Sequence, residues 1–326
     1  MVHASADVSL AVDPNVDADP ATLGELSRGL LDAAFASSGL LAVRVVRGDG
    51  PVLSLGAFDR ASRVARDLPA ELASLPSFGR GSGGMPVRID VDAVWVGLAL
   101  SSTTAFTDAT AATIVNRHVR PLLRALAKEN VPASYGGRDF VACVKTPVAW
   151  VGFQHDGSSR RAAFEALVAV RSPFTVPGRS SWAGKVPGTL DAAARRPVEP
   201  ARLRAAIVEA YLDSFGAKRV ELAMEIPPHS HTDRTKADPP FTATVEEAIG
   251  LVGAGPTRDG YVGVGGEFAA SRNALAELNY RLTQIDTQDA AIVDDAVANA
   301  FGHSDVVIDG VRSLGSLRDA ILAVPR

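Results

Sequence analysis

The sequence predicts a mixed α/β chain of the α+β kind, divided into a larger and a smaller unit. Three observations predict it. The chain has 326 residues, and at about 150 residues per domain that length favours two domains. Apolar residues make up 47% and charged residues 21%, the balance of a protein with a sizeable core. Strand-like apolar runs alternate irregularly with helical periodicity and with tight turns, which argues against an all-parallel sheet.

In chain order, residues 1–20 read as a loosely ordered lead. Thr22 to Phe35 reads as a helix, with Leu23, Leu26, Leu30 and Leu31 at helical spacing. LLAVRVV (40–46) and PVLSLG (51–56) flank RGDGP and read as a hairpin. Residues 58–75 follow as helix. FGRGSGGMP (78–86) is a glycine-crowded loop, and 87–102 reads as two strands of a buried sheet. A helix capped by Thr107 or Asp108 runs to about Asn130, with a kink at Pro121. DFVACV and VAWVGF are strands around KTP, and FEALVAV (164–170) is another. Residues 171–188, rich in Gly, Pro and Ser, form a long loop. A helix over 200–215 and a strand over 219–226 close a unit spanning 21–226. The polar, proline-rich segment 227–240 reads as a linker. The smaller unit, 241–326, carries strands at 260–266 and 306–310 and helices around 269–283, 289–301 and 316–324.

Fixed charge sums to only −4, which favours neither nucleic acid nor an anionic membrane as partner. No uncharged apolar run reaches the length of a membrane span, and the acidic N-terminus lacks a secretory pattern. The single cysteine, Cys143, excludes an internal disulfide or a thiolate metal cage and points to the cytoplasm. In its apolar strand it reads as a small buried hydrophobe. Lysine is confined to Lys128, Lys145, Lys185, Lys218 and Lys236, so any lysine chemistry has five candidates.

The most informative stretch is Gly79-Arg80-Gly81-Ser82-Gly83-Gly84. Glycines let a backbone approach a ligand, and their N–H groups can form an anion nest. Arg80 adds a forked donor for carboxylate or phosphate, and Ser82 a hydroxyl. It matches neither the P-loop nor the dinucleotide fingerprint. His229-Ser230-His231-Thr232-Asp233 has a spacing that could ligate a metal. It stands alone in a polar linker, and a solvated loop is the favoured reading. VGAGP (252–256) precedes a turn and strand, not a helix, so it is no flavin loop. His155-Asp156 is a polar pair at a strand end. His118 reads as structural, and Asn116 and Arg120 as the polar face of their helix.

In order and spacing, most of residues 20–326 resemble the lipoate–protein ligase A family. The resemblance is carried by PVLSLG, Arg80-x-Ser82-Gly83-Gly84 before a buried strand, Gly137-Arg138-Asp139 before apolar strands, and the terminal GYVGVGGEFAAS with ALAELNYRL. It implies the family's mixed sheet with flanking helices and a small accessory domain. It also implies two-step acyl transfer. ATP with Mg²⁺ activates lipoate or octanoate as an acyl-adenylate, and the acyl group passes to a lysine of a lipoyl carrier domain. Under it, Arg80, Ser82, Gly83, Gly84, Asp90, Arg138 and Asp139 would bind substrate and nucleotide. The two activated anions need such fixed positive charge and N–H donors.

The sequence departs from the family's pattern at several positions. Gly79 stands for the first arginine of its pair, Met85 for the third glycine, Pro86 for the following alanine and Ile89 for a histidine. Aligning Val148-Ala149 with the family's Val-Ala-Gly-like triplet puts Pro147 where the catalytic lysine belongs. Lys145, two residues away, and Lys185, in the 171–188 loop, are the candidates to replace it. Three readings stay open: an ATP-dependent acyl–protein ligase, an inactive relative that keeps an acyl or nucleotide pocket, and a metal-dependent hydrolase using 229–233.

Overall fold

A computed structural model describes residues 8–33, 38–175, 185–224, 238–247 and 249–325. The chain opens with β1 (Ser9–Val12), β2 (Asp17–Ala18), α1 (Pro20–Ala33) and β3 (Gly39–Val46). Next come β4 (Val52–Leu55), α2 (Ala61–Asp67), α3 (Ala70–Ala73), β5 (Ser77–Gly79) and β6 (Val87–Ile89). Then follow β7 (Val94–Leu100), α4 (Ile114–Lys128), β8 (Ala133–Tyr135), β9 (Phe140–Cys143), β10 (Thr146–Asp156) and β11 (Arg161–Val168). Helices α5 (Leu190–Ala194) and α6 (Pro200–Phe215) precede β12 (Lys218–Glu221). The C-terminal part contains β13 (Ala243–Glu246), β14 (Leu251–Pro256), β15 (Val262–Gly266), β16 (Ala269–Ala270), α7 (Arg272–Leu282), α8 (Ala290–Phe301), β17 (Ile308–Asp309) and α9 (Gly315–Leu322).

The main sheet runs β12-β1-β3-β7-β11-β10-β9-β8, with β2 beside β3. Its pairs are parallel from β12 to β3 and antiparallel beyond. The central strands are apolar on both faces because both faces are covered. Leu41, Val43 and Val45 of β3 join Val94, Val96 and Leu98 of β7 against α4 and α6. Leu40 and Ala42 join Trp95 and Trp150 on the opposite face, under α1 and a second sheet of order β5-β4-β6. Local signals set the helix ends. Pro200 starts α6 and Gly216, with φ 58°, stops it. Asp289 caps α8 by accepting from the amides of Ala291 and Ile292. A third core, built from the three-stranded sheet β13-β14-β15 and helices α7, α8 and α9, includes Val252, Leu278, Val293 and Leu317.

Three expectations change. β3 and β4 are not a hairpin: β3 pairs with β1 and β7, while β4 pairs with β5 and β6 in the other sheet. Likewise 87–102 supplies one strand to each sheet, the chain reversing at Asp92 with φ 65°. The lead is not loose from residue 9 onward, because β1 is inserted between β3 and β12 with Leu10 and Val12 fully buried. The linker and the 229–233 triplet lie outside the described residues, apart from 238–240. Among the described residues, no helix is long and apolar enough to cross a membrane.

Candidate functional site

The glycine loop lies between the two sheets, roofed by the C-terminal part, and every residue from Gly81 to Pro86 is buried. Its amides are already engaged. Arg80 N donates to Leu55 O at 2.9 Å, Gly81 N to Ser27 Oγ at 2.8 Å, Ser82 N to Glu165 Oε2 at 3.2 Å and Gly84 N to Phe268 O at 3.0 Å. Two glycines are required by geometry. Gly84 has φ 101°, and a Cβ on Gly83 would come within 3.0 Å of the Phe268 and Ala269 backbone. The loop is therefore a bearing surface for the C-terminal part, and the amides of Arg80, Gly81, Ser82 and Gly84 are unavailable to an anion.

Arg80 is 2% exposed. Its guanidinium donates to the carbonyls of Ser54 (3.1 Å), Gly83 (2.9 Å) and Met85 (2.8 Å), and lies 4.3 Å from the Trp150 ring centroid. Burial pulls its pKa down to about 10, against the opposing pull of Glu165 and Asp139. It holds the loop's own carbonyls rather than presenting a fork to a ligand.

Glu165, on β11, is the buried anchor of this layer. Its carboxylate accepts from Ser27 Oγ, from Ser82 N, from Trp95 Nε1 (3.3 Å) and from Gln154 Nε2 (3.2 Å). The indole of Trp150, 1% exposed, occupies the space beneath the loop, and its Nε1–H has no hydrogen-bond partner among the described residues. Among the described residues, a cavity of about 20 Å³ is bordered by Gly83, Gly84, Tyr135, Arg138, Asp139 and Trp150. That is room for about one water molecule; a dry cavity that admits benzene is roughly 150 Å³. Tyr135 is pushed well above its ordinary pKa, first by burial and then by Asp309 and Asp139.

The structure therefore brings together Arg80, Ser82, Gly83, Gly84, Arg138 and Asp139, and leaves the other expected site residues elsewhere. Lys145 is exposed in the β9–β10 turn, beside Val144 with φ 59°. It lies five residues before Trp150, on the order of 15 Å along the strand. The tight turn that Pro147 follows leaves the lysine in solvent at the start of β10. Pro147 itself is buried in β10, and its carbonyl accepts from Gly188 N at 2.9 Å. Lys185 is half-buried three residues before Gly188, toward that same end of β10. Asp90 pairs with Arg88 at 3.5 Å beyond β6. Among the described residues no group of three or more His, Cys, Asp or Glu could hold a metal ion.

Sequence reasoning missed the tryptophan and the glutamate. Glu165 was visible as one acid inside the apolar run FEALV, and Trp150 as a bulky ring at the third place of the Val-Ala-Gly-like triplet. It also missed how the two parts are joined. His155 Nδ1 lies 2.8 Å from Ser271 Oγ, which also accepts from Val307 N, and Gly157 N donates to Asn273 Oδ1 at 3.1 Å. Arg60 donates to the carbonyls of Pro239 and Pro256 and lies 4.4 Å from the Phe241 ring centroid. Arg63 pairs with Asp59 and, at 2.8 Å, with Glu267 across the joint.

No family model and no curated protein matches the sequence. Solved structures do. LipL1 of P. falciparum, in complex with lipoate, superposes with a TM-score of 0.59 over 96% of this chain and 99% of its own, at 9% identity. The bi-partite lipoate protein ligase of Thermoplasma acidophilum, studied with its E2 lipoyl domain, gives 0.52 over 67% and 88% at 11% identity. A further T. acidophilum structure with bound lipoic acid gives 0.51 over 68% and 90% at 13% identity. At these identities the likeness is one of fold: the chain has a divergent lipoate–protein ligase-like fold.

Proposed function

We propose that this chain is a non-catalytic member of the lipoate ligase-like fold, which neither activates nor stores an acyl group in the cleft under its glycine loop. The observation that carries this reading is the Trp150–Arg80 stack. It fills the space beneath the loop, and the cavity beside it among the described residues holds about 20 Å³, far less than an eight-carbon chain needs. Three further features support it. The amides of Arg80, Gly81, Ser82 and Gly84 are bonded internally, Pro147 stands at the lysine position that the family resemblance implies, and Lys145 faces solvent. The described residues of the cleft thus do not fit ATP and Mg²⁺. No free N–H cradle or unengaged cation is offered to a phosphate by Arg80 or by the amides of Gly81, Ser82 and Gly84. Two proteins of the same fold bind lipoate, and one is paired with a lipoyl domain; in this reading neither property carries over through the cleft. The two-unit division, at residues 21–226 and 241–326, belongs to the same proposal.

The test is direct. Purified full-length chain is incubated with ATP, Mg²⁺ and octanoate or lipoate, and pyrophosphate release and acyl-adenylate are measured by mass spectrometry. The expected result is neither product, and no heat of binding for octanoate in calorimetry. Detection of an acyl-adenylate at one equivalent of enzyme would overturn the proposal and restore the ligase reading.

A further inference from the structure

The fixed charge of the chain is divided unevenly. Residues 238–326 hold 13 Asp and Glu against 6 Arg, while residues 1–237 hold 24 against 27 Lys and Arg. The acidic surplus therefore belongs to the C-terminal part. On it, the neighbouring helices α7 and α8 leave a groove of about 380 Å³. Ile285 and the buried Ala296 line its base, and Tyr280 and Ile292 stand at its sides, 65% and 40% exposed. These are two of the few large apolar side chains left in water on this part of the chain. Glu277 on the rim is neutralised by Arg281 at 2.7 Å. Asp295 is exposed at the rim with no ion pair among the described residues. Asp286 and Asp289 are exposed close by in sequence.

We infer that the α7–α8 groove docks a cationic amphipathic helix from a partner protein. Two helices side by side present a trough that a third helix fills, with apolar anchors at i, i+3, i+4 and i+7. No strand edge is offered there, so an extended peptide has nothing to pair with. Tyr280 supplies a large amphipathic contact of the kind that dominates binding energy. The acidic flank selects lysine or arginine beside the anchors and speeds encounter. Among the described residues, the basic helix of a second copy does not supply the docked helix. That helix, α4, carries Arg117, Arg120, Arg124 and Lys128, but its apolar stripe, including Ile114, Val119, Leu122 and Leu126, is buried in the core. The inference does not depend on whether the ligase-like cleft is active.

The experiment uses full-length chain and three fluorescein-labelled peptides, followed by anisotropy at low and high salt. One is a Leu/Lys helix of about four turns with leucine at i, i+3, i+4 and i+7. The second is its Leu/Glu counterpart. The third has the Leu/Lys composition scrambled so that no apolar face forms. The Leu/Lys helix is expected to bind and the Leu/Glu helix to be silent. The double variant Tyr280→Ala, Ile292→Ala should weaken binding about tenfold or more. Asp295→Lys should weaken it several-fold and flatten its salt dependence. All three altered side chains lie at the surface, and unchanged circular-dichroism melts confirm that each variant is folded. Equal binding of the scrambled peptide, or indifference to the Tyr280 and Ile292 double variant, would show diffuse electrostatic attraction and overturn the inference.

Discussion

Replacing Trp150 by alanine puts the filled-cleft argument at risk in a single step. The indole is 1% exposed, and burying a large aromatic removes roughly 150–250 Å² from water. Truncating such a ring to alanine costs about 3–5 kcal/mol, the lost transfer energy plus a void charged at about 24 cal/mol per Å³. Arg80 also loses the aromatic face it stacks on, worth up to about 2 kcal/mol when desolvated; its carbonyl partners remain. A total of about 4–6 kcal/mol is close to the whole stability of a marginal domain. The new void merges with the existing 20 Å³ and should reach the order of 100 Å³, the size class that binds benzene. The assay is the urea midpoint of wild type and Trp150→Ala, each with and without saturating benzene. Benzene should raise the midpoint of the variant and leave the wild type alone. Trp150→Phe, which keeps a ring and deletes the unpartnered Nε1–H, should lose less than half as much. A loss below about 1 kcal/mol in Trp150→Ala, with no response to benzene, would refute the claim that the indole occupies the cleft.

Four other outcomes follow from the geometry. His118 is fully buried, both ring nitrogens lack partners among the described residues, and burial lowers its pKa from 6.5 to about 4. Its neutral form is favoured in the fold, so stability is complete above about pH 6.5, falls by about 3 kcal/mol between pH 6.5 and 4, and levels off below. His118→Phe should flatten urea midpoints measured from pH 8 to 4, and an unchanged slope would clear His118 of the effect. Arg63→Met removes the guanidinium that two buried carboxylates share, Asp59 and Glu267, and should lower the urea midpoint by about 3–5 kcal/mol of stability, which Glu267→Gln partly restores. Gly83→Ala forces the loop off the Phe268 backbone; hydrogen exchange at the Gly84 amide should accelerate at least tenfold, and protection equal to wild type would contradict the close approach. Lys145→Ala, at an exposed turn, should stay within about 0.5 kcal/mol of wild type.

Much of the architecture could be read from the chain because local signals coincide with it. LLAVRVV gave β3, and the Pro200 start and Gly216 stop bracket α6. What could not be read was partnership. The run at Val87–Leu100 looks continuous, yet β6 and β7 join different sheets, because hydrophobicity reports burial and not which neighbour supplies it. The short strand β1 escaped for a related reason, since it is held by distant residues rather than by its own pattern. At the cleft, the loop and Arg80 lie near Arg138 and Asp139, beside Trp150. Their use was not legible: glycine near a ligand and glycine near another backbone look identical in sequence. Only the position of Phe268 distinguishes them. Pro147 signalled trouble from the sequence alone, whereas Trp150 did not, since a side chain's volume matters only once its surroundings are placed.

The seat of β1 carries a consequence for how the molecule is made. This strand lies between β3 and β12, paired in register with Lys218–Glu221 on its outer side. A ribosome completes one neighbour within the first fifty residues and the other only after more than two hundred. At roughly 5–20 residues per second, the earliest strand waits ten seconds or more with one flank bare. Chains interrupted before residue 218 would keep that flank open, a site where unfinished copies can stick to one another.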